Sequence, residues 1–136
     1  IVKLDNNGSL LWKWQNGTSR EDYLNGVAIA QDGSIVVEGG TNGSYHRENE
    51  GGLDFVAMKL DSNGSVQWAW QNGTDEEDSW MAVAMGGDGS VVLAGYTCGN
   101  WITTQVGACD VAVAKLDLNG TLLWTWQVTN VSRRFK

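Results

Sequence analysis

Seven asparagines carry the pattern that accepts N-linked sugars, Asn-x-Ser/Thr, and this modification belongs to secreted proteins. Chance pairing of the 11 Asn with the 18 Ser and Thr among 136 residues would give between one and two such sites. Turn formation is the alternative explanation, because Asn-Gly is common in turns. However, the Asp-Gly-Ser turns of the same chain make no such site. We therefore predict N-glycans at Asn7, Asn16, Asn42, Asn63, Asn72, Asn119 and Asn130.

The two cysteines, Cys98 and Cys109, lie in one connection between predicted strands. In a secreted protein such a pair is expected to form a disulfide, which closes a loop and stabilises the fold by roughly 3 kcal/mol. Two buried thiols are the alternative. A catalytic or metal-binding role is disfavoured, because the spacing is not Cys-x-x-Cys and the single histidine, His46, lies in another connection.

Carboxylate groups form two patterns that bear on cation binding. Segment 5–8 and its later copies contain Asp-x-Asn, as calcium loops do, but they lack the later acidic ligand, so we interpret them as turns. The acidic segment 75–78 is either a cation site or a solvated loop, and we favour the loop. One histidine, without a partnered cysteine nucleophile or paired carboxylates, leaves acid–base catalysis without its residues. We predict no enzyme activity, no cofactor and no metal.

Composition limits the class of protein further. The chain combines 18 Gly and 8 Trp with no Pro among 136 residues, which is typical of short strands joined by glycine turns. Its net charge of −7 repels phosphate backbones and anionic lipids, so nucleic acid is not an expected partner. No apolar run reaches the ~18 residues of a spanning helix, so we expect no membrane insertion. We predict a single domain over 1–136 and, because it begins with Ile1, a processed product or a fragment.

The whole chain repeats with a period of 56 residues, through two kinds of segment that alternate. Unit A, which ends in Trp-x-Trp-Gln, occupies 2–15, 58–71 and 114–127. Unit B, which contains Asp-Gly-Ser, occupies 27–41 and 83–97. The order along the chain is therefore A-B-A-B-A. The predicted divisions are a partial repeat over 1–18, full repeats over 19–74 and 75–130, and a basic tail over 131–136.

Each unit is predicted to be a β-hairpin, because short runs of β-branched and aromatic residues flank Asn-Gly or Asp-Gly. Those dipeptides favour a type I′ turn, which has positive φ at both central residues. After the turn of unit A, Trp12 and Trp14 share one face, and this period of two excludes a helix. We expect the tryptophans to pack in the core, and sugar stacking is the alternative. The predicted fold class is all-β, with antiparallel hairpins in tandem 56-residue repeats that form propeller-blade-like four-stranded sheets.

One repeat contains the sequence motifs of a known family. These are Gly51-Gly52-Leu53-Asp54, then Phe55-Val56-Ala57-Met58-Lys59-Leu60-Asp61, then Trp68, then Gly95-Tyr96-Thr97. The unit resembles the SBBP-type β-propeller repeat, and the resemblance covers nearly the whole chain. The later copy departs at its opening, which is Gly107-Ala108-Cys109-Asp110. The resemblance implies four-stranded blades in extracellular or cell-surface proteins, mostly without a defined reaction.

The number of units predicts uncovered ends. If one blade is a B unit plus an A unit, the chain holds two blades and one unpaired A unit, whereas closed propellers have about 4 to 8 blades. The terminal hairpins, 1–15 and 110–127, would leave tryptophans partly exposed, and we predict that a neighbouring copy covers them. These residues are Trp12, Trp14, Trp124 and Trp126.

From these features we expect a non-enzymatic extracellular structural protein, an N-glycosylated β-repeat subunit that assembles edge to edge into a filament or surface coat. Its expected partners are further copies of itself, through the terminal hairpins, and its covalent N-glycans. The alternative is a fragment of a β-propeller recognition module that binds carbohydrate or protein. The tail from Ser132 to Lys136 is expected to be a processing remnant, a linker or an arm for an acidic neighbour.

Overall fold

The computed structural model describes residues 1–129, which form ten β-strands and no helix. The strands are β1 (Val2–Leu4), β2 (Leu10–Lys13), β3 (Asp22–Ile29), β4 (Ile35–Thr41), β5 (Asp54–Leu60), β6 (Val66–Asn72), β7 (Asp78–Met85), β8 (Val91–Thr97), β9 (Asp110–Leu116) and β10 (Leu122–Val128). The predicted all-β fold of tandem hairpins is confirmed. The described part of the chain accordingly offers no helix for crossing a membrane. Asn130 and the basic tail lie outside the described residues.

The strands form three antiparallel sheets, in which every strand pairs with its neighbour in sequence. We call β1–β2 the first sheet, β3–β4–β5–β6 the second sheet and β7–β8–β9–β10 the third sheet. The second and third sheets each combine one B unit with the following A unit, as expected from the repeat. The first sheet is a single A unit without a B unit beside it.

The turns that close the A hairpins differ from the type I′ turn expected from Asn-Gly. In the first hairpin, the amide of Gly8 donates to the carbonyl of Asp5 at 3.0 Å, and only Gly8 has positive φ, +82°. This is a three-residue loop, a type I turn followed by a left-handed glycine. The side chain of Asp5 favours it, because its Oδ1 accepts the amides of Asn7 and Ser9 at 2.8 and 2.9 Å. The expectation was wrong because this carboxylate stabilises the alternative turn.

The sheets pack face to face, and the core consists of two apolar layers between them. Between the second and third sheets, the ring of Phe55 stacks on that of Trp80 with centroids 4.0 Å apart. Between the first and second sheets, Met58 and Leu60 pack beneath Trp12. Tryptophan side chains therefore contribute to both layers, in agreement with the prediction that they pack in the core.

Candidate functional site

The connection between β8 and β9 contains the single disulfide, which joins Cys98 to Cys109 as expected from the sequence. The matching connection of the second sheet has Asn42 and Leu53 at these two positions. Gln71 organises that second connection, because its Oε1 accepts the amide of Tyr45 at 2.9 Å while its Nε2 donates to Asp54 Oδ2 at 2.9 Å. One repeat thus has a disulfide where the other has a sugar-acceptor sequence.

The sugar-acceptor asparagines lie in three kinds of surroundings. The tip residues of the three A hairpins are exposed and occupy matching places on successive sheets; they are Asn7, Asn63 and Asn119. Asn16 and Asn42 line one open polar cavity of about 820 Å³. Asn72 is half-buried at the end of β6, where its Oδ1 accepts Trp101 Nε1 at 2.6 Å. The hairpin tips, like the exposed Asn16, are therefore more accessible to a glycan than the half-buried Asn72.

Two of these acceptor sequences have a threonine that the fold itself uses. The hydroxyl of Thr74 donates to Asp78 Oδ2 at 2.9 Å, and Thr18 approaches Asp22 in the same way in the preceding repeat. A turn requirement therefore accounts for the threonines that follow Asn16 and Asn72. At the hairpin tips, Ser9, Ser65 and Thr121 use their amides, not their hydroxyl groups, in the hydrogen bonds found among residues 1–129.

The candidate cation-binding segments form no ligand cluster in the described residues. In the acidic segment 75–78, the first three side chains are exposed, whereas Asp78 is buried and bonded to Thr74. The aspartate of each A turn accepts amides of its own loop, as at Asp61. Across residues 1–129 no group of three or more His, Cys, Asp or Glu side chains is placed to hold a metal ion.

A repeated contact joins each sheet to the tip of the next one. Trp12 Nε1 donates to the carbonyl of Ser62 at 2.9 Å, and 56 residues later Trp68 Nε1 donates to the carbonyl of Leu118 at 3.2 Å. The rings also lie on the tip glycines, since a Cβ placed on Gly120 would be 2.7 Å from the Trp68 ring. We call this pair of interactions, an indole donor on a tip carbonyl and a ring on a tip glycine, the tryptophan latch.

Both halves of one further latch are unused in this chain. Trp124, the next residue in the series, is 46% exposed, and its indole nitrogen has no hydrogen-bond partner among residues 1–129. Trp126 beside it is 67% exposed. At the other end, Gly8 matches the tip glycine Gly120, yet no atom lies within 4 Å of a Cβ placed there. The donor half is therefore on the third sheet and the acceptor half is on the first.

The apolar surfaces around the unused indole donor and the unused tip glycine correspond, at an offset of 56 residues, to faces that are buried between sheets of this chain. On the third sheet, Val113 pairs with Trp126 on the open face, and it corresponds to the fully buried Ala57. On the first sheet, Val2 is 62% exposed, whereas its counterpart Met58 is 3% exposed. We call these surfaces the tryptophan face and the opposite end face.

The structure separates the four tryptophans proposed from the sequence as assembly residues. Trp124 and Trp126 lie on the open tryptophan face, but Trp12 and Trp14 are half-buried against the second sheet. The outward face of the first hairpin carries Val2 instead. Sequence reasoning missed this residue, although its alignment with Met58 at an offset of 56 was a usable signal.

One buried carboxylate was also missed. Glu38 on β4 has no exposed surface, and neither of its carboxylate oxygens has a hydrogen-bond partner among the described residues. Loss of hydration on burial raises its pKa to about 7. It lies between the second and third sheets, close to Gly26. The next repeat has Ala94 at this position, so the irregularity was visible in the sequence.

Comparison with known proteins leaves the internal repeat as the main guide to function. No protein-family model matches this sequence, and no curated protein matches it significantly. The candidate functional surfaces are accordingly defined by comparing the chain with itself.

Proposed function

We propose that this protein is a non-enzymatic structural subunit that is secreted, N-glycosylated and assembled end to end with further copies of itself. The tryptophan latch is the observation that carries the proposal. The contact forms twice within the chain, and the two unused halves lie on opposite ends. A surface that binds a different surface on an identical neighbour produces an open chain when the rotation between copies does not close.

In this assembly, the tryptophan face of one copy packs on the opposite end face of the next. Trp124 Nε1 of one copy donates to the main-chain carbonyl of Asn6, the residue that corresponds to Ser62 and Leu118. Its ring lies on Gly8, which offers the open space that the contact needs. The apolar area around Trp126 becomes buried, and that burial is the main favourable term in association.

Secretion is supported by the disulfide and by the acceptor sequences at exposed hairpin tips. Glycans on Asn7, Asn63 and Asn119 would follow one edge of the sheet stack, at a spacing of about 10 Å between packed sheets. The four-stranded sheets agree with the resemblance to SBBP-type propeller repeats, in which blades occur in extracellular or cell-surface proteins. We therefore place the assembly in a filament or surface coat outside the cell.

Sedimentation velocity over a range of protein concentrations tests the proposal. We expect the wild-type chain to form larger species as concentration rises, and the double variant Trp124→Ala, Trp126→Ala to associate at least about tenfold more weakly. Ile102→Ser is the matched control, because Ile102 is also exposed but lies on the disulfide loop. A wild-type chain that stays monomeric at millimolar concentration, or a double variant that associates normally, would contradict the proposal.

The same tryptophans underlie the alternative, a module that recognises carbohydrate. Exposed indole rings stack on the apolar faces of sugars, and Trp126 is open enough to do so. A monomeric wild-type chain whose tryptophan fluorescence changes on adding a soluble oligosaccharide would favour this alternative over assembly.

A further inference from the structure

A groove of about 520 Å³ runs along the free edge of β1, over the face of the second sheet. One side of the groove is the β1 backbone, and the floor consists of apolar side chains of β3 and β4. Three floor residues are exposed on a sheet face whose other half is covered by the first sheet: Leu24, Val27 and Ile29. Within residues 1–129 the first sheet consists of β1 and β2 alone, so no strand lies on the outer side of β1.

The outer edge of β1 has backbone amide and carbonyl groups that are free to pair with another strand. The terminal amino group of Ile1 donates to the Trp14 carbonyl at 2.7 Å, and the Trp14 amide donates to the Ile1 carbonyl at 2.8 Å. Because hydrogen-bonding direction alternates along an antiparallel strand, the amide and carbonyl groups of Val2 and Leu4 point away from β2. Unpaired groups of this kind are a template for strand addition.

The next interface of the chain shows what occupies the equivalent place. Beside β5, which corresponds to β1, lies the B hairpin β3–β4, with Leu60 paired to Ile35 and Met58 paired to Val37. The side chain of Val36 then points into the layer formed with the third sheet. There, the counterpart of Val27 is Val83, which packs against that layer instead of facing solvent.

We propose that the groove binds a β-hairpin of the B type. Such a hairpin adds its second strand to β1 and completes a four-stranded first sheet, as β4 does beside β5. Its required chemistry follows from the face of β3–β4 that packs on the third sheet, which carries Gly26, Ala28, Val36 and Glu38. A hairpin that fits the floor of the groove therefore has small residues on its first strand and a β-branched residue on its second, with an uncharged residue at the position of Glu38, as Ala94 is in the next repeat. This inference goes beyond the proposed function, because the hairpin binds at the edge of the first sheet and does not use the tryptophan face.

A synthetic peptide with the sequence of residues 22–41 and the change Glu38→Ala is the probe, and the full chain carrying Trp124→Ala and Trp126→Ala is the target. This target separates the test from self-assembly, so failure of either proposal leaves the other unaffected. Hydrogen exchange of the Val2 and Leu4 amides is the readout. We expect saturating peptide to slow both amides at least about tenfold, and a matched peptide with Val36→Asp to leave them unchanged.

Isolated two-stranded hairpins are marginally stable, so a fused form provides a second measurement. Placing directly before Ile1 a copy of residues 19–56 with the change Glu38→Ala restores the 56-residue register, since Ile1 corresponds to Ala57. Protection of the Val2 and Leu4 amides in this fusion, and its loss when the added copy carries Val36→Asp, supports the groove as a hairpin site. Full exchange of both amides in the fusion, or equal protection by the Val36→Asp copy, overturns the proposal.

Discussion

Replacing Glu38 by alanine should remove a pH-dependent destabilisation of this fold. The carboxyl group has a pKa of about 7 in the folded chain, against 4.5 for a free side chain. Between these two values the folded chain retains a proton that the unfolded chain has released, so the free energy of unfolding falls as pH rises. At 1.36 kcal/mol for each pKa unit between the folded and unfolded values, the free energy of unfolding falls by about 3 kcal/mol by pH 8. Below pH 4.5 Glu38 costs nothing through ionisation.

Urea unfolding of the wild type and Glu38→Ala, followed by tryptophan fluorescence from pH 4.5 to 8, measures this effect. We expect the stability difference between the two proteins to shift by about 3 kcal/mol in favour of the variant across this range. The cost of removing the side-chain volume is constant with pH and does not alter the shift. Alanine fits this place in the repeat, since Ala94 occupies the matching position.

Other buried carboxyl groups also make the stability depend on pH, so the comparison must be between matched proteins. Burial also raises the pKa of Asp54 and of Asp78, but both residues are present in the wild type and the variant. Glu48→Ala is the control for the loss of a glutamate side chain, because Glu48 is exposed. If the wild type and Glu38→Ala lose stability in parallel from pH 4.5 to 8, the account of an uncompensated buried carboxylate is refuted.

Three further predictions concern the turns, the disulfide and the sugars. Gly120→Ala should destabilise the chain more than Gly8→Ala. Both glycines have φ of +82°, a conformation that costs alanine about 1 kcal/mol, but only Gly120 also lies under a tryptophan ring. Equal losses in urea unfolding would contradict the tryptophan latch. Replacing Cys98 and Cys109 by serine should cost about 3 kcal/mol of unfolding free energy, and no loss would show that the loop is ordered without its bond. Glycopeptide mass spectrometry of native material should find sugars on Asn7, Asn63 and Asn119 more often than on the half-buried Asn72, and bare tips would exclude the secreted assignment.

Much of the fold could be predicted because the chain repeats. The alternation of Trp68 and Trp70, the Asn-Gly turns and the offset of 56 residues each indicate β-hairpins, and hairpin order determines a sheet in which sequence neighbours pair. The disulfide could be predicted because both cysteines belong to one connection. These features depend on local sequence and on short-range pairing.

The remaining features depend on how the sheets stack, which a repeated sequence does not specify. All A units have the same tryptophans, so the sequence alone could not show that Trp14 is covered while Trp126 is open. That outcome depends on the direction in which successive sheets pack. The turn type was missed for a different reason. Asn-Gly permits both a type I′ turn and a type I turn followed by a left-handed glycine, and the carboxylate of Asp61 and its equivalents favours the second. The isolated Glu38 was visible as a departure from the repeat, but its environment was not.

The meander order of each sheet has a consequence for the growing chain during synthesis. When residue 72 has been made, the second sheet has all four strands, but Trp68 and Trp70 await the third sheet. At ~5–20 residues per second, the next 56 residues take roughly 3 to 11 seconds to appear. For that interval a nascent chain presents two indole rings to its surroundings. Each added repeat therefore covers the tryptophans of the preceding one and exposes a pair of its own.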